Sequence, residues 1–327
     1  ANTILVRGSE NKGETILKSK HVLVAVGGRP KVPDIPGKEL GWISDDMFIQ
    51  KNFPPEIVIV GAGFIACEFS CILNAFGIKV TQLIRGDSLL RGFDNELTLL
   101  LEKSMHEKGI QLSFRDKPVE IQSNYSKLQI LTSNGNKLDA GAILFAIGRK
   151  PFIKGLDIAN AGVKISKEKI LVNSQNRTNI DNIFAVGDVT DRVNLTPVAI
   201  EEGRALADSL YGNKVREVSY EFVPRAVFSQ PEIANVGLTE EEAIDLYGKE
   251  KIKLYTTKFK SMSQSLAKTG DTCLLKLVVL CKDERILGCH MLGENASEII
   301  QMASISLKLG ATKCDFDNTM ALHPTVA

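Results

Sequence analysis

The sequence predicts an α/β protein in which one domain is inserted into another, followed by an α+β domain. A continuous apolar run at 57–60 leads into a glycine-rich turn and then into an apolar helical pattern. Similar Gly, Arg and Pro punctuation occurs at 27–30 and 148–151, where we place the ends of the inserted domain. After residue 220 the pattern changes to alternating strands and helices. We therefore expect four segments, at 1–28, 29–150, 151–218 and 219–327.

Composition excludes several classes of function. The 327 residues are 44% hydrophobic and 24% charged, which is typical of a globular protein of more than one domain. Forty basic residues against 39 acidic ones give a net charge of +1, which favours neither nucleic acid nor a membrane as partner. No apolar run reaches the length of a membrane span, and we expect no signal peptide because Ala1 starts inside a folded pattern. Six cysteines without metal-binding spacing predict buried, reduced thiols, no metal site and a cytoplasmic location.

The turn after residues 57–60 has the spacing of a dinucleotide-binding motif. Gly61 and Gly63 permit a tight turn and a close approach of the backbone to a pyrophosphate, and Ala66 is small enough for a helix to pack on a strand. The N-terminus of the following helix, predicted at 64–76, directs free N–H groups at the phosphates. The simpler alternative is a glycine turn that joins an ordinary strand and helix.

The end of the next strand, predicted at 79–84, indicates which dinucleotide binds. An NAD site places a carboxylate there for the ribose 2′-hydroxyl. This sequence has Arg85 at that point and Arg91 six residues later. Two guanidinium groups can hold a 2′-phosphate by charge and by bidentate hydrogen bonds, so we predict NADPH rather than NADH. The alternative is two solvated loop arginines.

The remaining elements follow from periodicity and turn signals. We predict strands at 3–7, 15–18, 21–26, 110–114, 119–124, 127–132, 142–147 and 170–172, with helices at 95–108 and 198–210. After residue 220 we predict strands at 222–228, 252–260, 273–281 and 285–291 and helices at 239–246 and 295–309. This last set predicts an antiparallel sheet with helices on one side.

Several motifs, in this order, resemble the pyridine nucleotide–disulfide oxidoreductases, and within that family the glutathione reductases most closely. They lie at 61–94, 146–149, 184–189, 236–243 and 310–325. The resemblance implies an FAD domain, an inserted Rossmann-like NADPH domain and a dimerisation domain in a homodimer. It also implies that a hydride passes from NADPH to FAD, then to a cysteine pair, and then to a substrate disulfide, expected to be glutathione disulfide.

The resemblance assigns cofactor contacts to several residues. Asp188 corresponds to the residue that holds the ribityl chain of FAD, although by itself it reads equally well as a helix cap or turn residue. Leu195 and Thr196 correspond to the segment under the flavin ring, where backbone N–H groups stabilise negative charge. Phe64 takes the place of a tyrosine that moves aside for the nicotinamide. Gly148 belongs to the motif at 146–149, which the resemblance assigns to cofactor binding.

Three more residues are implied in catalysis and in substrate binding. His323 corresponds to the histidine that reaches into the partner's site and protonates the departing thiolate, a task that suits imidazole. Glu68 corresponds to a glutamate that pairs with a lysine beside the flavin. Arg204 corresponds to an arginine that binds a glutathione carboxylate, although an exposed helical arginine is the plain alternative.

Two features of the family do not occur in this sequence. There is no Cys-x4-Cys pair and no G-x-G-x-x-G motif before residue 57, and Cys67 and Cys71 lie i,i+4 on a helix, where an unstrained disulfide does not form. We expect the chain to be the C-terminal two-thirds of such a reductase. By itself it should not reduce a disulfide, and it lacks a glutamate to orient His323.

Alternatives remain open at this stage. Arg85 and Arg91 disfavour the NAD-dependent dihydrolipoamide dehydrogenases. A trypanothione- or thioredoxin-type reductase, a non-disulfide acceptor, or a nucleotide-binding and dimerisation module without chemistry remain possible. The turns before Pro231 and Pro324 are predicted to contain cis peptide bonds.

Overall fold

A computed structural model of the chain describes residues 3–8, 13–124, 127–267 and 270–327. They form two compact units. The first comprises Ala1–Lys31 and Arg149–Tyr220, and the second comprises Val32–Gly148 and Glu221–Ala327. None of the described helices is both long and apolar enough to cross a bilayer.

The elements are numbered in chain order. The strands are β1 (Thr3–Arg7), β2 (Glu14–Lys18), β3 (Val22–Val24), β4 (Gly28–Pro30), β5 (Glu56–Val60), β6 (Lys79–Ile84), β7 (Gln111–Phe114), β8 (Pro118–Asn124), β9 (Lys127–Thr132), β10 (Lys137–Ala140), β11 (Ala142–Phe145), β12 (Arg149–Pro151), β13 (Ile165–Ser166), β14 (Lys169–Ile170), β15 (Ile183–Ala185), β16 (Arg225–Val227), β17 (Ile233–Gly237), β18 (Ile252–Phe259), β19 (Cys273–Leu280) and β20 (Ile286–Leu292). The α-helices are α1 (Ser44–Met47), α2 (Phe64–Ala75), α3 (Asn95–Glu107), α4 (Thr196–Tyr211), α5 (Glu240–Tyr247), α6 (Met262–Ala267), α7 (Ala296–Lys308) and α8 (Lys313–Asn318).

A parallel sheet of order β11-β5-β6-β7 organises the second unit. Alternate residues of β5 serve two cores, since successive side chains of a strand point to opposite faces. Ile57 and Ile59 pack with α2 and α3, whereas Val58 and Val60 pack against the antiparallel sheet β10-β9-β8. The prediction that this strand is buried on both faces is therefore confirmed.

The two helices of this sheet begin and end close to their predicted bounds. Gly63 is the N-cap of α2, and the chain leaves that helix through Gly77 in a left-handed conformation at φ +80°. Asp94 caps α3 because its carboxylate accepts a hydrogen bond from the N–H of Glu96 at 3.1 Å.

The antiparallel sheet predicted for the last segment is confirmed, with the order β16-β17-β20-β19-β18. The prediction that its helices lie on one side is wrong. Val278 packs in the α5 core, whereas its neighbour Val279 packs in the α7 core, so the two helices cover opposite faces.

Two further corrections concern this last segment. The strand predicted at 222–228 is shortened to β16 because Phe222 takes a left-handed conformation at φ +52° and Pro224 follows. Strand β17 and helix α8 were not predicted at all. The peptide bonds before Pro231 and Pro324 are both cis, as predicted.

The first unit contains short paired strands and one long helix. β3 pairs in parallel with β15, and β4 pairs antiparallel with β12. Ala185, at the end of β15, is completely buried, and the chain then turns through residues 187–190 toward α4. This turn carries Asp188.

Candidate functional site

The turn after β5 has the geometry that a dinucleotide pyrophosphate requires. Gly61 donates a hydrogen bond to the carbonyl of Leu83 at 2.9 Å and has φ +142°, and a Cβ there would lie 2.2 Å from the carbonyl oxygen of Ala146. Gly63 is different, because a Cβ there would meet nothing within 4 Å. Gly61 thus closes the turn, whereas the face of Gly63 is open to a ligand. Ala66 is fully buried, as its packing role predicts.

The loop after β6 is tied to this turn, because the N–H of Leu90 donates to the carbonyl of Ala62 at 2.8 Å. Arg85 and Arg91 lie on either side of that connection, and both are exposed. Among the residues that the structure describes, neither guanidinium makes a side-chain hydrogen bond or ion pair. The acidic residue in this loop, Asp87, pairs instead with Arg115. Two unpaired cations without a competing carboxylate fit a phosphate group.

Glu68 and Phe64 lie on α2, the helix that begins at this turn. The Glu68 carboxylate is half-buried, and Oε1 accepts a hydrogen bond from the N–H of Phe228 at 3.0 Å. Burial raises the pKa of Glu68, and the bond from Phe228 only partly opposes that shift. Phe64, the first residue of α2, has 47% of its surface exposed, so its ring is accessible beside the turn. Gly148, in the same unit, has φ +108° and an equally open face.

The cysteines of α2 are free thiols, as predicted. Burial raises the pKa of Cys67 to about 12, and burial also raises the pKa of Cys71. Neither is therefore a thiolate near neutral pH. The prediction that all six thiols are buried is wrong for Cys281 and Cys314, which are exposed.

In the first unit, Asp188 lies in the turn that precedes α4. Its Oδ2 atom is 3.9 Å from Nε of Arg149, and a Cβ on Gly28 would lie 3.4 Å from the same oxygen. The side chain is partly exposed, and its ion pair is long. It can therefore still accept hydrogen bonds from hydroxyl groups, which fits a ribityl chain.

A buried carboxylate that the sequence did not reveal holds this turn. Glu202 is 1% exposed, and its carboxylate accepts hydrogen bonds from the N–H of Gly187 at 2.6 Å and from the hydroxyl of Tyr220 at 2.7 Å. Arg192 completes the cluster at 2.9 Å. Burial and the bond to Glu202 raise the pKa of Tyr220. A glutamate six positions into a helix gives no local signal of such a role.

Helix α4 begins close to Asp188 in the chain. Leu195 is its N-cap and makes no side-chain capping bond, so the N–H groups at this end are not satisfied by a cap. Thr196 is the exposed first residue. Arg204 lies further along the same helix, exposed and without a side-chain partner among the described residues. The N–H of Leu195 itself donates to the carbonyl of Val193 at 2.9 Å, so the N–H groups of the first turn of α4, from Thr196 on, are those that fit an anionic ring edge.

His323 lies near the end of the chain in the second unit. Its side chain is exposed and contacts no carboxylate among the residues described. The segment is held by the hydroxyl of Thr325, which donates to the carbonyl of Leu322 at 2.7 Å, and by Val326, which packs against the α7 core. His323 thus lies on a fixed backbone, with its ring accessible.

A second buried ionic cluster was also not predicted. Lys276 is 1% exposed, and its ammonium lies 3.0 Å from Asp94 and 2.6 Å from Glu240. Burial lowers the pKa of Lys276, but hydrogen bonds to Glu240 and Asp94 outweigh burial, and the net shift is upward. Since Asp94 follows Arg91 by three residues and also caps α3, the cluster anchors the arginine loop to β19.

Comparison with known proteins places the chain in a class. Residues 1–203 match the family described as pyridine nucleotide-disulphide oxidoreductase, and residues 223–327 match the dimerisation domain of that family. The chain belongs to the pyridine nucleotide-disulphide oxidoreductases. The family and fold class implied by the sequence motifs are therefore confirmed.

Its relatives indicate which members of this family the chain is similar to. A glutathione reductase from Nostoc sp. is 42% identical over 328 residues, which cover 96% of this chain and 72% of that protein. One from Burkholderia cepacia is 40% identical and covers 100% of this chain and 71% of its own length. The chloroplastic/mitochondrial enzyme of Pisum sativum is 42% identical over 95% of this chain and 56% of that protein. FAD and NADPH, the predicted cofactors, are those of the glutathione reductases.

Solved structures agree with this placement. The HOCl-induced flavoprotein disulfide reductase RclA from Escherichia coli, solved as a Cu(II) complex, superposes with a TM-score of 0.91 at 25% identity. The superposition covers 99% of this chain and 74% of RclA.

Proposed function

We propose that this protein is an NADPH-dependent flavoprotein reductase of glutathione disulfide that works as a homodimer. The observation that carries the proposal is the pair of exposed, unpaired arginines, Arg85 and Arg91, beside an open dinucleotide turn. The relatives named glutathione reductase support the substrate, and the matched dimerisation domain supports the homodimer. A cytoplasmic location stays a prediction, since one relative is named for chloroplasts and mitochondria.

When bound, NADPH supplies a hydride and FAD passes the electrons on to a disulfide. Arg85 and Arg91 would hold the 2′-phosphate, and Gly61, Gly63 and the N-terminus of α2 would hold the pyrophosphate. Phe64 would cover the nicotinamide pocket until the ring enters.

Other residues would orient the flavin and the substrate. Asp188 would bind the ribityl hydroxyls, and the segment of Leu195 and Thr196 would stabilise negative charge on the flavin ring through the N–H groups of the first turn of α4. Arg204 would bind a carboxylate of glutathione, and His323 would hand a proton to the departing thiolate. Glu68, whose pKa is raised by burial, would lie beside the nicotinamide.

Calorimetric titration of the chain with NADPH and NADH tests the proposal. We expect NADPH to bind more tightly, and the double change Arg85→Ala with Arg91→Ala to weaken NADPH by at least about a hundredfold, since each lost charge-assisted bond costs about 1.5 to 3 kcal/mol. NADH affinity should be unchanged. Arg115→Ala is the matched control, because that exposed arginine is already paired with Asp87. Equal affinity of the unaltered chain for both dinucleotides would reject the NADPH assignment.

The cysteines favour a second candidate for this chain, a nucleotide-binding and dimerisation module without disulfide chemistry. None of the six is spaced as Cys-x4-Cys, and the thiols of α2 have raised pKa values. The module is supported if sedimentation shows a dimer and NADPH binds, but glutathione disulfide is not reduced when FAD is added. Turnover would reject it, and comparing glutathione with trypanothione and thioredoxin disulfides would then identify the acceptor.

A further inference from the structure

The segment from Arg225 to Gln230 runs alongside helix α2. Two bonds fix its register: Phe228 donates its N–H to Glu68, and Gln230 donates its N–H to Sγ of Cys71 at 3.4 Å. The residue numbers of donor and acceptor increase together from the first bond to the second, so the segment and the helix run in the same direction. Going back from Phe228 to Arg225 covers about 10 Å of extended chain, whereas the helix from Glu68 to its first residue covers only about 6 Å. Arg225 therefore lies at the N-terminal end of α2.

An independent contact places the guanidinium of Arg225 at the same point. A Cβ built on Gly92 would lie 3.8 Å from Nη1 of Arg225. Gly92 follows Arg91, in the loop that Leu90 ties to Ala62 of the dinucleotide turn. The guanidinium, the arginine loop and the turn are thus neighbours.

The charge of Arg225 has no counter-ion among the described residues. The side chain is exposed, and among the described parts of the chain it forms no ion pair. The carboxylate of Asp94, two residues beyond Gly92, is buried and already bound by Lys276. A cation beside the positive end of a helix is unfavourable unless an anion lies between them.

We propose that Arg225 binds the pyrophosphate of NADPH from the side opposite the helix N-terminus. The inference rests on the proposed NADPH function and adds a residue from β16 to the dinucleotide site. Arg85 and Arg91 recognise the 2′-phosphate and thereby select NADPH over NADH. Arg225 contacts a group that both dinucleotides share, so it contributes affinity without selectivity.

The test measures dissociation constants of NADPH and NADH by calorimetry for the unaltered chain, Arg225→Gln and Arg225→Lys. We expect Arg225→Gln to weaken both dinucleotides by the same factor, about tenfold, as loss of one charge-assisted hydrogen bond does. Arg225→Lys should restore part of the affinity, and adenosine 2′-monophosphate, which has no pyrophosphate, should bind the variant and the unaltered chain equally. Arg285→Gln, which changes an exposed arginine immediately before β20, is the matched control, and thermal unfolding of each variant checks the fold.

The possible results separate this inference from the function on which it rests. Unchanged affinities in Arg225→Gln would overturn the inference and leave the NADPH function standing. Loss confined to NADPH and adenosine 2′-monophosphate would overturn it too, by moving Arg225 to the 2′-phosphate. If the unaltered chain bound neither dinucleotide, the proposed function itself would fall.

Discussion

Gly61 lies so close to Ala146 that a Cβ on the glycine would be 2.2 Å from the carbonyl oxygen of the alanine. The contact joins the turn after β5 to the residue that follows β11, its parallel neighbour in the sheet. A Cβ on Gly63, two residues later, would meet nothing within 4 Å. The two glycines of one motif therefore have different physical tasks, since one permits the fold and the other admits the ligand.

Substitution by alanine should separate these two tasks. Gly61→Ala should destabilise the protein by more than about 2 kcal/mol, because the new methyl group clashes with fixed backbone and φ +142° is strained for alanine. Gly63→Ala should fold with near-normal stability but bind NADPH at least about tenfold more weakly, because the methyl group occupies the approach to the pyrophosphate. Urea denaturation and calorimetry measure the two effects. Equal loss of stability in both variants would contradict this division.

The strand–turn–helix was predictable because every signal it needs is local. The apolar run, the glycines and the helical period lie within residues 57–76, and the arginines follow in the next strand and loop. Strand β17 was not predictable in the same way. It contains Asn235 and ends at Gly237, and its burial comes from pairing with β20, where Val236 faces Cys289.

The same distinction applies to the candidate site. The 2′-phosphate role of Arg85 and Arg91 stays a prediction, and the sequence alone suggests it because both residues follow a strand of the dinucleotide motif. The pairing of Lys276 with Asp94 joins residues 182 positions apart, so no sequence pattern reveals it. Arg225 was missed for the same reason, because its guanidinium comes close to Gly92 only after β16 packs along α2.

The Lys276 cluster should be important for stability. Lys276→Met leaves Asp94 buried without its cation, which we expect to cost about 3 to 5 kcal/mol in the free energy of unfolding. Lys258→Met is the matched control, because that ammonium pairs with Glu96 at 2.7 Å while half its side chain is exposed. The control should cost at most about 1 kcal/mol. Denaturant unfolding of both variants measures the difference, and similar values would show that burial of the cluster does not matter.

Glu202 offers a parallel test in the first unit. Glu202→Gln keeps the shape of the side chain but removes the charge that Arg192 and the N–H of Gly187 share. We expect a loss of about 2 to 4 kcal/mol. Glu201, the adjacent residue on α4, pairs with Arg216 at a more exposed position. The control change Glu201→Gln should therefore cost at most about 1 kcal/mol. If Glu202→Gln unfolds like the unaltered chain, the carboxylate does not hold the Asp188 turn.

Glu68 should give stability a specific dependence on pH. Burial raises the pKa of this carboxyl in the folded chain above its unfolded value of about 4.3. The folded state therefore binds the proton more tightly. The contribution of Glu68 to the stability of the folded chain is most favourable below the unfolded pKa and is lost as pH rises through the folded pKa.

Glu68→Gln resembles the protonated form, and its amide oxygen can still accept the N–H of Phe228. The variant should be more stable than the unaltered chain at pH 7.5, and the difference should shrink toward zero near pH 4. Thermal unfolding at pH 4, 5.5 and 7.5 measures this, with Glu39→Gln, at an exposed position, as the control that should show no such trend. A stability difference that is constant with pH would mean that Glu68 has the same pKa in the folded and the unfolded chain. It would contradict the raised pKa of Glu68 in the folded chain.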